Sequence, residues 1–179
     1  MVFLPRTDYA AQEICRTIVE TEIISLGFQI YGWRQVPVNT SVIGAKANAT
    51  RPEIEQIMIH GDPTLSDDAF ERQLYIIRRR IERRVAAAAI NDFYICSLSH
   101  NGEINTLKGN VNWMKSHENR MASEALGEFA EDIKPVIQPG SSDSAALDAV
   151  FELLVQAGRS APMAKTLLIP EAWSNNTRM

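Results

Sequence analysis

His100-Asn101-Gly102-Glu103-Ile104-Asn105-Thr106-Leu107-Lys108-Gly109-Asn110-Val111-Asn112-Trp113-Met114 is the stretch on which this sequence turns. It follows an apolar, strand-like run at residues 93–98 and puts an Asn-Gly pair near its exit. Asn-Gly is the strongest short hairpin signal, so a polar turn accounts for those two residues alone. It does not account for what comes next. Asn105, Lys108, Gly109, Asn110 and Asn112 are spent before Trp113 and Met114 are reached. Gly102 and Gly109 let the backbone approach a ligand closely. Asn101 brings a side-chain N–H that can be aimed at developing negative charge.

On the N-terminal side of this loop, residues 1–4 read as a short buried strand closed by Pro5. Asp8 suits the cap of a helix to about Leu26. Ala11, Ile14, Cys15, Ile18, Val19 and Leu26 share one face of it, and Gly27 is a stop. Residues 28–36 and 53–59 read as strands, with a loop at 37–51 and turn chemistry at Gly61-Asp62-Pro63. Ser66 and Asp67 open the clearest helix, where Phe70, Leu74, Ile77, Ile81 and Val85 recur at helical spacing. Arg78, Arg79, Arg80, Arg83 and Arg84 fall on its other faces. With Glu82 among them and the helix C-terminus near, they are expected to form a solvated face.

On the C-terminal side, Asn110 suits the cap of a helix containing Trp113, Met114 and His117, and residues 127–140 look irregular. Asp143 or Ser144 is expected to cap the next helix. Its apolar stripe is Leu147, Val150, Phe151 and Leu154, and Gly158 ends it. Ser160-Ala161-Pro162 suits the start of a last short helix. Helices and strands are mixed without strand-helix-strand alternation, which is the α+β pattern.

A chain of 179 residues with 45% hydrophobic content is expected to form one domain. The net charge of −4 gives no reason to expect nucleic acid or an anionic membrane as partner. Two distant cysteines make neither a disulfide framework nor a metal site. Cys15 and Cys96 are expected as buried, inert thiols in a reducing compartment. No apolar run approaches the length of a membrane span and no signal peptide is visible, so the expectation is cytoplasmic. His60, His100 and His117 have no ligand spacing, so no metal is expected. No glycine-rich dinucleotide or phosphate loop is present. Trp33, Trp113 and Trp173 are expected in the core.

The loop is joined by Met1-Val2-Phe3-Leu4-Pro5, Tyr31-Gly32-Trp33-Arg34-Gln35-Val36-Pro37, Phe93-Tyr94-Ile95-Cys96-Ser97-Leu98-Ser99, Ser142-Asp143-Ser144, Gly158-Arg159-Ser160 and Ile169-Pro170-Glu171-Ala172-Trp173. In that order they resemble the class II glutamine amidotransferase domain of glutamate synthase large subunits. The resemblance implies the four-layer αββα sandwich of N-terminal-nucleophile hydrolases, two antiparallel sheets between helices, here in part. It implies L-glutamine as substrate, Asn101 and Gly102 as oxyanion donors, and Asp143 as the acceptor of the substrate's α-ammonium. From the residues alone, a helix N-cap serves Asp143 equally well. Glu103 beside the donors can orient the loop. FMN and an iron–sulfur cluster are implied for the full-length family protein and no cofactor for this chain. The remaining domains of the large subunit, and a small subunit, are implied partners.

Two departures accompany the match. The family's nucleophile is an N-terminal cysteine, and neither Cys15 nor Cys96 sits where it belongs. The family also carries a segment, with a substrate-binding arginine, where Ser99 here runs directly into His100. Residues 1–179 are therefore expected to be a truncated domain with an internal deletion between Ser99 and His100. The expected function is that of a glutaminase fragment, inactive alone. The alternative is a non-catalytic pseudo-amidotransferase module that binds an amino acid or a partner subunit.

Overall fold

The computed structural model describes residues 1–90, 93, 104 and 106–169. The chain divides into two units, Met1–Cys96 and Ser97–Met179. The first runs β1 (Val2–Leu4), α1 (Tyr9–Ser25), β2 (Gln29–Gln35), α2 (Ala45–Thr50), β3 (Glu53–His60) and α3 (Asp67–Ala87). The strands form one antiparallel sheet in the order β1-β3-β2, with Val2 opposite Glu55 and Trp33 opposite Ile57. A register shift between Ile30 and Gly32 leaves Tyr31 as the extra residue of a bulge, and its ring is exposed.

Local chemistry sets the helix ends. The Asp8 carboxylate accepts the Ala11 N–H at 2.9 Å and starts α1, and Gly27 at φ +82° stops it in a conformation that favours glycine. Ser66 accepts the Ala69 N–H at the head of α3, where Asp67 and Asp68 complement the helix dipole. One core joins sheet and helices: Val2 and Leu4 of β1, Cys15, Ile18, Val19 and Ile23 of α1, Phe28, and Ile77, Ile81 and Val85 of α3. Each fully buried aliphatic side chain in such a core contributes roughly 1.5–3 kcal/mol. Gly61 is held to glycine by this packing, since a Cβ there would meet the rings of Phe70 and Phe28 at 2.8 and 2.9 Å.

Three expectations fail in this unit. The 37–51 loop contains a 3-10 turn, Thr40–Val42, and the helix α2. Ile14 is exposed, whereas Gln12 and Glu22 are buried on α1. Gln12 holds the entry to the helix, donating to the Pro5 carbonyl at 2.7 Å, and Glu22 accepts from Arg84 at 2.6 Å. Of the basic run, Arg84 is exposed and Arg80 and Arg83 are half-buried, but Arg78 and Arg79 are not on a solvated face. Residues 75–79 are buried without interruption, Arg79 to 3% exposure. Glu82 lies one turn on and forms ion pairs with both Arg78 and Arg79, which offsets the desolvation of cations in a helix buried on more than one side. Arg78 also lies 5.9 Å over the Tyr75 ring.

The second unit contains α4 (Leu107–Glu118), a 3-10 turn (Gly127–Glu131), α5 (Asp143–Gln156) and α6 (Ala161–Leu168). α4 starts one turn earlier than expected. Thr106 is its N-cap, and Asn110 lies inside the helix, with its N–H on the Thr106 carbonyl at 3.1 Å. Trp113 is 72% exposed, not core. Leu147, Val150, Phe151 and Leu154 of α5 are only half-buried, and its buried positions are Ala146, Asp148 and Leu153. Gly158, at φ +97°, follows α5 as expected. The strand expected at 93–98 lies outside the described residues apart from Phe93, which packs partly buried against the first unit's core. The fold of the described residues is mixed α/β with one small antiparallel sheet.

Candidate functional site

Asp143 is the expected site residue that the structure describes. It is the first residue of α5, but Ser142 is the cap, its Oγ accepting the Ala145 N–H at 3.2 Å. The expectation that Asp143 or Ser144 would cap this helix is thus corrected. A serine hydroxyl satisfies the orphan N–H, and the Asp143 carboxylate points elsewhere. Its Oδ1 accepts the Ser144 N–H at 2.7 Å and the Ser144 hydroxyl at 3.3 Å. Its Oδ2 accepts the Ile104 N–H at 2.9 Å, across 39 residues of sequence. The first turn of a helix favours a carboxylate electrostatically.

Ile104 belongs to the amide-rich loop and follows Gly102 by two residues. Asn101, Gly102, Glu103 and His100 lie outside the described residues, as do Cys96, Trp173 and the Ser99–His100 junction. The bond from Ile104 to Asp143 nevertheless ties the start of α5 to that loop. Nothing in the sequence signals this bond, because its donor is a backbone N–H that every non-proline residue carries.

Cys15 is fully buried in the α1 face of the core, and burial pushes its thiol up to about 11. A thiol so placed is neutral and inert near pH 7. His60 is exposed, its ring beside that of Tyr31 at 6.0 Å, and His117 is exposed in the last turn of α4. Among the described residues no group of three histidine, cysteine, aspartate or glutamate side chains could hold a metal ion. The Arg78–Arg79–Glu82 cluster was not anticipated. The spacing that announces it, Glu82 at four residues from Arg78 and three from Arg79, was there to be read.

The chain matches the class-II glutamine amidotransferases in two stretches, residues 1–100 and 98–179. It is 48% identical, over 231 aligned positions, to the large chain of NADPH glutamate synthase from Azospirillum brasilense, covering 98% of this chain and 15% of that protein. It is 32% identical, over 233 positions, to the ferredoxin-dependent chloroplastic glutamate synthase of Spinacia oleracea, covering 98% and 14%. Against the glutamate synthase large chain of Bacillus subtilis it is 32% identical over 232 positions, covering 96% and 15%. The chain thus spans about 15% of the length of these relatives. Each alignment is longer than the chain's 179 residues.

Proposed function

We propose a function from one premise: this chain belongs to the class-II glutamine amidotransferase family. Its site takes L-glutamine. Asn101, through its side-chain amide, and Gly102, through its backbone N–H, donate to the oxyanion that forms when the amide carbonyl is attacked. Asp143 receives the α-ammonium in a charge-assisted hydrogen bond. The observation that carries this reading is the placement of Asp143. Ser142 does the capping, so the carboxylate is not needed to start α5, and its Oδ2 reaches the loop of the oxyanion donors through Ile104.

The three-stranded sheet is one layer of a partial four-layer αββα sandwich. In support, all its pairings are antiparallel and α1 and α3 share its core. Residues 1–179 form a partial domain with an internal deletion at Ser99–His100. The two stretches that meet there, and the alignments longer than the chain, support this. Within a longer, cytoplasmic protein, ammonia released from glutamine meets 2-oxoglutarate at a second site, and reducing equivalents yield a second glutamate. The other large-subunit domains, and a small subunit, are the partners. FMN and an iron–sulfur cluster serve that second site. This chain does not fit either. Its two cysteines fall short of the four thiolates a cluster takes, and it has no phosphate loop, so no step here runs through those groups.

One observation favours a second reading, a non-catalytic module that binds an amino acid or a partner subunit. The described cysteine is buried and inert. Titration calorimetry of the purified chain with L-glutamine tests the site. Saturable binding that is lost with D-glutamine and weakened in Asp143→Asn supports it, and no binding to a folded chain overturns it. Ammonia release by this chain should stay at the buffer rate under both readings, and turnover that survives Cys15→Ala and Cys96→Ala together would overturn this account of the site.

A further inference from the structure

We infer that Ser144 is a further substrate-binding residue: its hydroxyl oxygen is a second acceptor for the α-ammonium and sets the preference for an amino acid over an analogue without the amine. This rests on the reading that Asp143 receives that ammonium. An ammonium carries three N–H donors, and each wants an acceptor when it leaves water. The Asp143 carboxylate cannot supply three. A carboxylate has about four lone-pair sites, and protein donors already fill three of them. The Ser144 N–H at 2.7 Å and the Ser144 hydroxyl at 3.3 Å bond Oδ1, and the Ile104 N–H at 2.9 Å bonds Oδ2. Another oxygen beside the carboxylate has to share the ammonium.

Ser144 Oγ is placed for that. It spends its hydrogen on Asp143 Oδ1 and keeps its lone pairs, and among the described residues no donor is bonded to it. An ammonium hydrogen on Oγ then runs through the hydroxyl to the carboxylate, a chain in which each bond polarises the next. The neighbouring serine has a different task. Ser142 Oγ accepts the Ala145 N–H and caps α5, so the helix does not call on the Ser144 hydroxyl for its start. Asp143 and Ser144 are both half-buried. A ligand can therefore reach them, and docking there strips the ammonium of part of its water, which the hydroxyl replaces. Threonine at this position keeps the oxygen, and alanine or glycine does not.

Titration calorimetry of the full chain with L-glutamine tests this in Ser144→Ala, Ser144→Gly and Ser144→Thr. Alanine and glycine should weaken binding by about tenfold, the scale of one hydrogen bond to a charged group, and threonine should keep it within about twofold. Glutaramate, which is glutamine without the amine, should bind the unsubstituted chain and Ser144→Ala alike. A role confined to α5 would show elsewhere. Amide exchange at Ala145 and Ala146 should stay unchanged in Ser144→Ala, whereas Ser142→Ala should speed it at Ala145. Undiminished glutamine affinity in both the alanine and glycine variants, an equal loss in the threonine variant, or a matching loss of glutaramate overturns the inference. The reading beneath it fails in a different way. If Asp143→Asn weakens glutamine binding and the Ser144 variants do not, Asp143 stands as the ammonium acceptor and the role of Ser144 falls. If the unsubstituted chain binds no glutamine, or Asp143→Asn binds it undiminished, the ammonium site is not here and both roles fall together.

Discussion

The two units solve the same problem with different means. In the first, a sheet and two long helices close over a continuous apolar core, and its buried charges are matched, as Arg79 is with Glu82. In the second, the helices are shorter, α4 buries no residue, and carboxylates hold backbone directly: Glu118 accepts the Val136 N–H at 2.7 Å, and Asp143 accepts that of Ile104. Every candidate site residue lies in the second unit. Apolar packing is non-directional and gives stability. Hydrogen bonds to fixed carboxylates are directional and set where a loop stands.

The largest test strikes the first unit. Leu4→Ala removes a fully buried side chain and should cost about 2–5 kcal/mol in urea unfolding. A cost below about 1 kcal/mol would mean that the core is not what holds this unit. A rise in pH should come next. The thiol of Cys15 stays protonated in the fold up to about 11 but ionises in the unfolded chain from about 9. Its contribution is present in full below the unfolded value and is lost as pH rises through the folded one. The loss should be on the order of 2–3 kcal/mol. Tyr75, pushed up to about 12, adds a loss of the same sign at still higher pH. Unfolding free energies against pH for the native chain and Cys15→Ala check this, and equal slopes would place the thiol in water.

Smaller effects belong to the second unit. Ser142→Ala should cost about 1 kcal/mol through the lost cap, read by exchange at Ala145. No effect would return the capping role to Asp143 and blur the contrast between the units. Trp113→Ala should change stability by no more than about 0.5 kcal/mol, because the ring is exposed. A larger loss in the melting curve would show that this ring has a partner.

Much of the first unit could be read from the sequence, because its signals are local. Asp8, Gly27 and Ser66 announce helix ends within one turn, and the stripe from Phe70 to Val85 is a period that packing preserves. Helix α2 escaped because Ala45–Thr50 is too short to show a stripe. The burial of Arg78 and Arg79 escaped because charge patterning carries no information on what covers a helix. At the site, Asp143 was found through resemblance, and its competing role as a cap was settled only when Ser142 proved to fill that role. Its bond to Ile104 spans 39 residues between groups that any sequence offers.

The interior arginines of α3 invert the usual map of mutational tolerance. On a solvated helix, a run of arginines is its most permissive stretch, open to lysine, glutamine or alanine at little cost. Here Arg79 is the more constrained position. Lysine lacks the planar guanidinium that meets Glu82, alanine removes the nearer of that carboxylate's two arginines, and removing one side of a buried pair costs about 3–5 kcal/mol. A saturation library across α3 should thus read against its hydropathy. Variants at exposed Glu71 should pass freely, and those at buried Arg78 and Arg79 should be purged.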